Sequence, residues 1–344
     1  MNFLKIYMNK NTILDVKNLY KKIESNYSIF SKPKQYYILS NINFDLKFGE
    51  TLGVVGESGS GKTTLAKCLV KLITPDSGKI YYQQKRNNSD KINILELNRN
   101  SISEIRKDIQ IIFQDPFTSL NPKMRINQIV SHPIKFHKLF KNKNDIFEKA
   151  EDLLTLTGIN KDLFDNYPHQ LSGGQRQRVG IARSLALNPK ILIADEPVSA
   201  LDVSIQAQII NLLKKLQTIY NLSIIFISHD LSVIKYVSDK IIVMYLGEIV
   251  EAGNTVDIFK KPLHPYTEAL INSIPKPSFN KNEKSFSIIG EVPSIYEKPK
   301  GCKFHPRCFY AEQKCKNDIP ELITFNNNHS TSCHLSNKLK LKGL

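Results

Sequence analysis

The residues with the most specific chemistry are eight consecutive positions near the start of the chain, Gly56-Glu57-Ser58-Gly59-Ser60-Gly61-Lys62-Thr63. The glycines let successive backbone N–H groups turn inward without a Cβ in the way. Those donors, with the positive N-terminus of a following helix, can hold a phosphate chain. Lys62 would reach the β- and γ-phosphates, and the Thr63 hydroxyl would bind Mg²⁺.

The elements around this loop are those that a phosphate cradle requires. Residues 51–55 form an apolar run that predicts a short buried strand, and residues 64–70, beginning with Thr64, predict the start of a helix. A glycine-rich turn that binds nothing is the alternative interpretation. Such a turn would need neither Lys62 nor Thr63, so the sequence favours phosphate binding.

Four polar residues are predicted where buried strands end, and in chain order they are Gln114, Asp195, Glu196 and His229. Open α/β sheets bind ligands at this edge. Asp195 can hold Mg²⁺ through water, and Glu196 can polarise an attacking water molecule. Alternation along a strand would point these two acids in different directions. We expect His229 to contact a γ-phosphate.

A second anion-binding helix start is predicted at Ser172-Gly173-Gly174-Gln175. Two glycines at a helix start leave backbone N–H groups bare. Because one helix start cannot serve two sites, this one must face another phosphate group or another subunit. Asp202 ends a tight loop, residues 199–202, that leads into a further predicted helix.

Composition limits the classes of function. The chain of 344 residues is long enough for one large domain and a smaller unit. No apolar run approaches the roughly 18 residues of a membrane span, and no signal peptide is predicted, so we expect a cytoplasmic protein. The net charge of +16 would suit nucleic acid or an anionic membrane surface. Only eight of the 48 basic residues are Arg and the Lys are scattered, so nucleic acid is not the expected partner.

The cysteines are unevenly placed. Cys68 is predicted to be a small core residue, whereas the other four lie near the end of the chain, at Cys302, Cys308, Cys315 and Cys333. In a cytosolic protein such a cluster favours metal over disulfides. Four thiolates suit an iron–sulfur cluster or a structural Zn²⁺, although the gaps are wider than in a zinc ribbon. Four reduced thiols without metal are the third interpretation.

Taken in order, these motifs resemble the full motif set of the ABC ATPase family. The resemblance covers roughly residues 11–258 and implies an α/β P-loop NTPase cassette in a nucleotide-binding domain of residues 1–258. Such a cassette has a mixed sheet core, an antiparallel β subdomain and an inserted helical subdomain, expected here at about residues 115–185. Residues 259–344 would form a small cysteine-containing C-terminal extension.

The family resemblance also implies a mechanism with ATP and Mg²⁺. Two chains would form an ATP sandwich, in which Lys62 of one chain and the Ser172-Gly173-Gly174 segment of the other grip the same nucleotide. That arrangement would explain why the chain has two anion-binding helix starts. Gln114 would join Thr63 and Asp195 around Mg²⁺ and would link the nucleotide to the helical subdomain.

The C-terminal segment narrows the resemblance to the peptide-importer ATPases. The residues that carry it are Pro262-Leu263-His264-Pro265-Tyr266-Thr267, Gly301-Cys302-Lys303-Phe304-His305-Pro306-Arg307-Cys308, Cys315 and Cys333-His334. Related tails hold a [4Fe–4S] cluster, which the resemblance favours over Zn²⁺. Residues 30–33 look closer to the F-type ATPase subunit, which makes Phe30 the candidate for stacking on adenine, with Tyr27 or Tyr36 as alternatives.

The resemblance implies an ATPase subunit that drives the uptake of oligopeptides or dipeptides. Its expected partners are two transmembrane permease subunits, a sister ABC ATPase or a second copy, and indirectly an extracytoplasmic peptide-binding protein. The chain would then lie peripherally on the cytoplasmic face of the inner membrane.

Other functions remain open at this point. A nickel or metal-chelate importer of the same family would share the tail. A soluble ABC ATPase acting on nucleic acid or translation would usually carry two cassettes or a long coiled coil. A non-catalytic regulator would be expected to lack Glu196 or His229, and the tail disfavours an exporter.

Overall fold

The computed structural model describes residues 11–25, 34–86, 91–274, 290–325 and 328–344. These residues divide into two compact units, the first formed by Met1–Leu95 with Ser228–Leu344 and the second by Glu96–Ile227. Phe30 and Tyr27 lie outside the described residues. The predicted domain boundaries, at residue 258 and at about residues 115–185, stay predictions.

The first unit contains an antiparallel sheet of four strands in the order β2-β1-β4-β5. The strands are β1 (Thr12–Ser25), β2 (Lys34–Lys47), β4 (Ser77–Tyr82) and β5 (Ile92–Asn93). The long β1–β2 pairing joins Leu14 to Leu46 and Val16 to Phe44, and all four of these side chains are buried. This is the antiparallel sheet that the family resemblance implied.

The same unit holds a second set of strands that carries the phosphate loop. These strands are β3 (Thr51–Val55), β9 (Lys240–Tyr245), β10 (Glu248–Asn254), β11 (Ile323–Thr324) and β12 (Ser330–Thr331). β3 runs parallel to β9, and the pairs β9–β10, β10–β12 and β11–β12 are antiparallel. All five residues of β3 are buried, as its uninterrupted apolar sequence predicts.

The chain turns at Leu246 and Gly247 between the antiparallel strands β9 and β10. Both residues have positive φ, 45° and 84° respectively, as a tight two-residue turn with the twist of the strands requires. A Cβ at position 247 would collide with the backbone carbonyl of Ile38. Glycine is therefore required here both by the turn and by the neighbouring strand.

The helices of the first unit are short. They are α1 (Lys62–Leu69), α8 (Leu231–Val237), α9 (Thr255–Lys260), α10 (Pro265–Asn272) and α11 (Gln313–Asn317). Helix α8 packs on β3, and α9 packs on β10 and α8. These contacts cover the strand that leads into the phosphate loop.

The second unit combines parallel strands with helices. Its strands are β6 (Ile109–Ile112), β7 (Ile191–Asp195) and β8 (Ser223–Ser228), and β7 pairs in parallel with both neighbours. Its helices are α2 (Arg99–Asp108), α3 (Pro116–Ser119), α4 (Ile126–Phe136), α5 (Lys143–Leu156), α6 (Gly173–Leu185) and α7 (Val203–Tyr220). Helices α4, α5 and α6 pack on one another. Helices α4 and α5 lie within the range of about residues 115–185 where the family resemblance implied a helical subdomain.

Within the part of the chain that the structure describes, no helix combines the length with the apolar character that crossing a membrane would demand.

A buried histidine caps α10 and predicts a pH dependence of stability. The Nδ1 atom of His264 accepts a hydrogen bond from the Tyr266 N–H at 3.0 Å, and burial lowers the pKa of His264 to about 3. In the unfolded chain the pKa would be about 6.5. The neutral ring therefore stabilises the fold fully above about pH 6.5, and this contribution is lost as the pH falls towards 3, by about 1.4 kcal/mol per unit.

We expect His264→Asn, which keeps a capping acceptor but does not titrate, to lose less stability than the unsubstituted chain between pH 7.5 and 5. Urea unfolding at pH 7.5 and at pH 5 gives the free energy of unfolding that each chain loses over this range. The two losses should differ by about 2 kcal/mol. Ser204→Ala, at an exposed position without a titratable group, is the control and should lose as much stability over this range as the unsubstituted chain. Equal losses of stability for His264→Asn and the unsubstituted chain would contradict the prediction.

Candidate functional site

The phosphate loop joins β3 to α1 in the conformation that its glycines permit. Gly56, Gly59 and Gly61 have φ values of 155°, 80° and 97°, a region that other residues rarely adopt. A Cβ on Gly61 would lie 3.0 Å from Leu39 Cδ2 and 3.1 Å from the Ile38 carbonyl oxygen. Gly61 is also the N-cap of α1, with no side-chain cap bond, which leaves the helix start to backbone donors.

Lys62 lies buried inside this loop. Its Nζ donates to the carbonyl oxygens of Gly56 at 2.7 Å and Glu57 at 2.9 Å, and to Ser60 Oγ at 3.4 Å. An ammonium held over the loop by backbone oxygens is placed to exchange those acceptors for phosphate oxygens. Thr63 and Thr64 occupy the first turn of α1 and are half-buried, whereas Ser58 and Gly59 are exposed.

Glu57 of the loop is bound from the far end of the sequence. Its carboxylate accepts two hydrogen bonds from Arg307, Nη1 to Oε2 at 2.6 Å and Nη2 to Oε1 at 2.9 Å. Its backbone N–H donates to the Tyr266 hydroxyl at 2.8 Å. Burial alone would lower the pKa of Arg307, but the bonds to Glu57 and Tyr245 outweigh burial and raise it.

In the second unit, β7 ends at Asp195, which is buried, and the chain then turns sharply at Glu196. Glu196 has a φ of 46°, and its N–H donates to the Ile227 carbonyl at 3.0 Å. Strand alternation was therefore the wrong basis for the directions of the two acids, because Glu196 lies beyond the strand in the left-handed region. Gln114 Nε2 donates to Glu196 Oε2 at 3.1 Å.

The predicted helix start at Ser172 is confirmed as the N-terminus of α6. Ser172 Oγ accepts from the Gln175 N–H at 3.3 Å, and Gln175 Oε1 accepts from the Ser172 N–H at 2.9 Å, which forms a capping box. A Cβ on Gly174 would lie 2.6 Å from Ile205 Cγ2. Arg176 fixes the preceding turn through the carbonyls of Pro168 and Leu171 at 2.7 and 2.6 Å.

Two further predicted residues lie at exposed positions next to helices. Asp202 is the N-cap of α7, without a side-chain cap bond. His229 belongs to the first unit and precedes α8, whose N-cap Asp230 accepts from the Ser232 N–H at 2.7 Å. Their roles stay predictions, as does that of Phe30.

The four C-terminal cysteines are free and near one another in the first unit. Cys315 and Cys333 are buried with Leu335, and Cys302 packs against this cluster. Burial raises the pKa of Cys308 to about 11 and that of Cys333 to about 12, and the neighbouring thiols add to both shifts. Such thiols stay protonated at neutral pH in the absence of a cation.

The metal expected at Cys302, Cys308, Cys315 and Cys333 is not supported by this geometry. Among the residues that the structure describes, no three His, Cys, Asp or Glu side chains are arranged as a group that could hold a metal ion. Cys302, Cys315 and Cys333 instead pack as small apolar side chains, with Tyr310 and Leu339 beside them. The sequence spacing predicted their proximity but not a formed ligand set.

Arg307 and Tyr266 are the loop contacts that the sequence analysis missed. They lie 250 and 209 residues from Glu57. No local pattern reports such a pairing. One signal was present, because a carboxylate inside an anion-binding loop calls for a cationic partner.

The comparisons with known proteins agree with the motif assignment. Residues 39–199 match the family model described as ABC transporter. Residues 250–315 match the model described as oligopeptide/dipeptide transporter, C-terminal region. This second match includes Arg307 and three of the four clustered cysteines.

Among curated proteins, the oligopeptide transport ATP-binding protein AppF of Bacillus subtilis is 43% identical over 95% of this chain and 98% of its own. The dipeptide transport ATP-binding protein DppF of Haemophilus influenzae is 44% identical over 86% of this chain and 88% of its own. These proteins confirm the predicted resemblance to F-type subunits.

Solved structures with a similar fold include a dimeric ATP-binding cassette, MJ0796, in a post-hydrolysis state with ADP and Pi. It has a TM-score of 0.62 at 30% identity, over 71% of this chain and 99% of that one. CbiO1 from Clostridium perfringens, part of a cbiONQ transporter complex, has a TM-score of 0.59 at 32% identity, over 72% of this chain and 91% of that one. The predicted cassette fold is thereby confirmed, although the cysteine-containing extension is not. The chain belongs to the ABC transporter family and, within it, to the ATP-binding proteins of oligopeptide and dipeptide transport.

Proposed function

We propose that this chain is the subunit that binds and hydrolyses ATP in an ABC importer, and that hydrolysis drives uptake of oligopeptides or dipeptides through separate membrane subunits. The observation that carries the proposal is identity of 43% to a transport ATP-binding protein over nearly the whole of both chains. The buried Lys62, held in a glycine loop at a helix start, supports it independently.

Different residues would bind the phosphates, activate the water molecule and hold Mg²⁺. The loop Gly56–Thr63, with Thr64, would bind the phosphates, and Lys62 would neutralise charge that develops on them. Glu196, oriented by Gln114, would polarise the attacking water, and His229 would contact the γ-phosphate. Thr63, Gln114 and Asp195 supply hydroxyl, amide and carboxylate oxygens, a donor set that suits Mg²⁺.

A second chain would complete the nucleotide site. The capped start of α6, with Ser172, Gly173 and Gly174, would bind the nucleotide held by the partner's phosphate loop. Gln175 and Asp202 would adjoin that interface. The partner ATPase would be a sister chain or a second copy. Two transmembrane permease subunits and an extracytoplasmic peptide-binding protein would complete the importer, with this chain peripheral on the cytoplasmic face.

The test is to identify what the chain binds in the cell. A tagged Glu196→Gln chain, which should retain ATP, is purified from gently solubilised membranes with ATP and Mg²⁺. Two multi-spanning proteins and a sister ATPase should co-purify, and peptide should stimulate ATP hydrolysis by the reconstituted unsubstituted complex. A tagged Lys62→Ala chain, which should not bind ATP, is the matched control for the effect of bound ATP on what co-purifies. Ribosomes, nucleic acid or no membrane protein in the eluate would contradict the importer proposal.

We propose separately that the four C-terminal cysteines bind a metal, and the support for this proposal is the family resemblance of the C-terminal segment. We expect anaerobically purified protein to contain iron and acid-labile sulfide in equal amounts, with Zn²⁺ as the alternative. The double variant Cys315→Ser/Cys333→Ser should lose the metal, whereas Cys68→Ser should retain it. Protein with neither iron nor zinc would remove both metal assignments.

A further inference from the structure

The phosphate loop contains an acid where its ligand would be an anion. Glu57 is the second residue of the loop, and its side chain is 25% exposed. An unpaired carboxylate in the same loop as the phosphate-binding backbone groups would disfavour an anionic ligand, because like charges in a partly buried site oppose each other. A cationic partner for Glu57 would remove this repulsion from the ATP binding proposed above.

Arg307 is placed to be that cationic partner. Its guanidinium meets both oxygens of Glu57 side by side, at 2.6 and 2.9 Å, which is the strongest form of the arginine–carboxylate pair. The Arg307 side chain is only 5% exposed. Its position is fixed further by the Tyr245 hydroxyl, 3.4 Å from Nη1.

The C-terminal extension holds Arg307 in place. Arg307 ends a short 3₁₀ turn, His305–Arg307, that follows Phe304. The buried Phe304 ring packs against Tyr245 and Tyr266, with ring centroids 5.4 and 5.3 Å apart. Tyr266 in turn accepts the hydrogen bond from the Glu57 N–H. The aromatic contacts and the ion pair thus fasten the extension to the phosphate loop at two points.

We propose that Arg307 neutralises Glu57 and so makes the phosphate loop competent to bind ATP, which makes nucleotide affinity depend on the C-terminal extension. Arg307 acts through Glu57 and is a positioning residue, not a ligand of the nucleotide. This inference rests on the proposed ATP-binding function.

The test measures Mg·ATP binding by calorimetry on the full chain carrying Glu196→Gln, so that ATP is not consumed. Arg307→Met should raise the Kd about tenfold, because it leaves the Glu57 carboxylate unpaired. Glu57→Gln should lower the Kd about two- to fivefold, because it leaves the Arg307 charge beside the triphosphate. The double variant should recover most of the tenfold loss. A purely structural role of Arg307 predicts no such recovery.

Three further measurements make the outcome decisive. Lys316→Met removes an exposed cation from the same extension and should change the Kd by less than twofold. High salt should shrink the defect of Arg307→Met. Lys62→Ala should abolish binding, and if it does not, the proposed function fails rather than this inference.

The inference is overturned if Arg307→Met binds ATP like the parent chain while Lys62→Ala does not bind, or if the double variant stays as weak as Arg307→Met. Should Arg307→Met fail to fold, the sign of the Glu57→Gln effect decides. Weaker ATP binding by Glu57→Gln would overturn the neutralising role.

Discussion

Replacing Glu196 by Gln should lower ATP turnover of the proposed transporter complex by about 10²–10⁴-fold, the usual contribution of a positioned general base. The amide keeps the shape of the carboxylate but cannot take a proton from water. Gln114 Nε2, which donates to Glu196 Oε2 at 3.1 Å, can still donate to the amide oxygen, so the local structure should persist. ATP binding should therefore remain, and ATP should accumulate in a stable dimer of ATPase subunits.

Phosphate release from the reconstituted complex measures turnover, and size-exclusion chromatography with Mg·ATP measures dimer formation. Glu151→Gln, at an exposed position on α5, is the matched control and should keep turnover within about twofold. Turnover of Glu196→Gln at the rate of the unsubstituted complex would remove Glu196 from the catalytic role.

Glu251→Ala should lower the free energy of unfolding by about 3 kcal/mol, because it removes the partner of three hydrogen-bonding groups around a buried site, at about 1 kcal/mol or more each. The Glu251 carboxylate is fully buried in β10. It accepts from the N–H groups of Leu263 at 2.7 Å and His264 at 2.9 Å, and Oε1 lies 2.7 Å from His329 Nε2. Alanine would leave all three groups buried without this acceptor.

Equilibrium unfolding of the full chain in urea, without nucleotide, measures this loss. Glu251→Gln keeps an acceptor and the side-chain volume and should cost clearly less. Glu297→Ala, at an exposed position of the extension, should stay within about 0.5 kcal/mol of the unsubstituted chain. A loss below about 1 kcal/mol for Glu251→Ala would show that the carboxylate does not anchor this region.

Sequence reasoning succeeded where the determinants of structure are local. The glycines of the loop at 56–63 and the serine that caps α6 each act on neighbours within a few residues, so their types and spacing predicted their conformations. The strand β3 was predicted for the same reason, since an unbroken apolar run is typical of a strand buried on both faces.

Sequence reasoning failed where a residue leaves the regular pattern of its strand or contacts a partner that is distant in the sequence. Glu196 takes a φ of 46° immediately after β7, so strand periodicity no longer describes it. Arg307 meets Glu57 across 250 residues, and Glu251 meets His329 across 78 residues. Such pairs depend on how whole strands and helices come together, which spacing along one sequence does not encode. The cysteine spacing likewise predicted neighbours, but not the arrangement of their sulfur atoms.

The ion pair between Arg307 and Glu57 also sets an order of events during synthesis. The ribosome makes Glu57 250 residues before Arg307. At about 5–20 residues per second, the nascent phosphate loop exists for about 10–50 s before its guanidinium partner has been translated. Throughout that interval the Glu57 carboxylate lacks its guanidinium partner. The pair between Glu57 and Arg307 can therefore form only well after the loop residues themselves have been made.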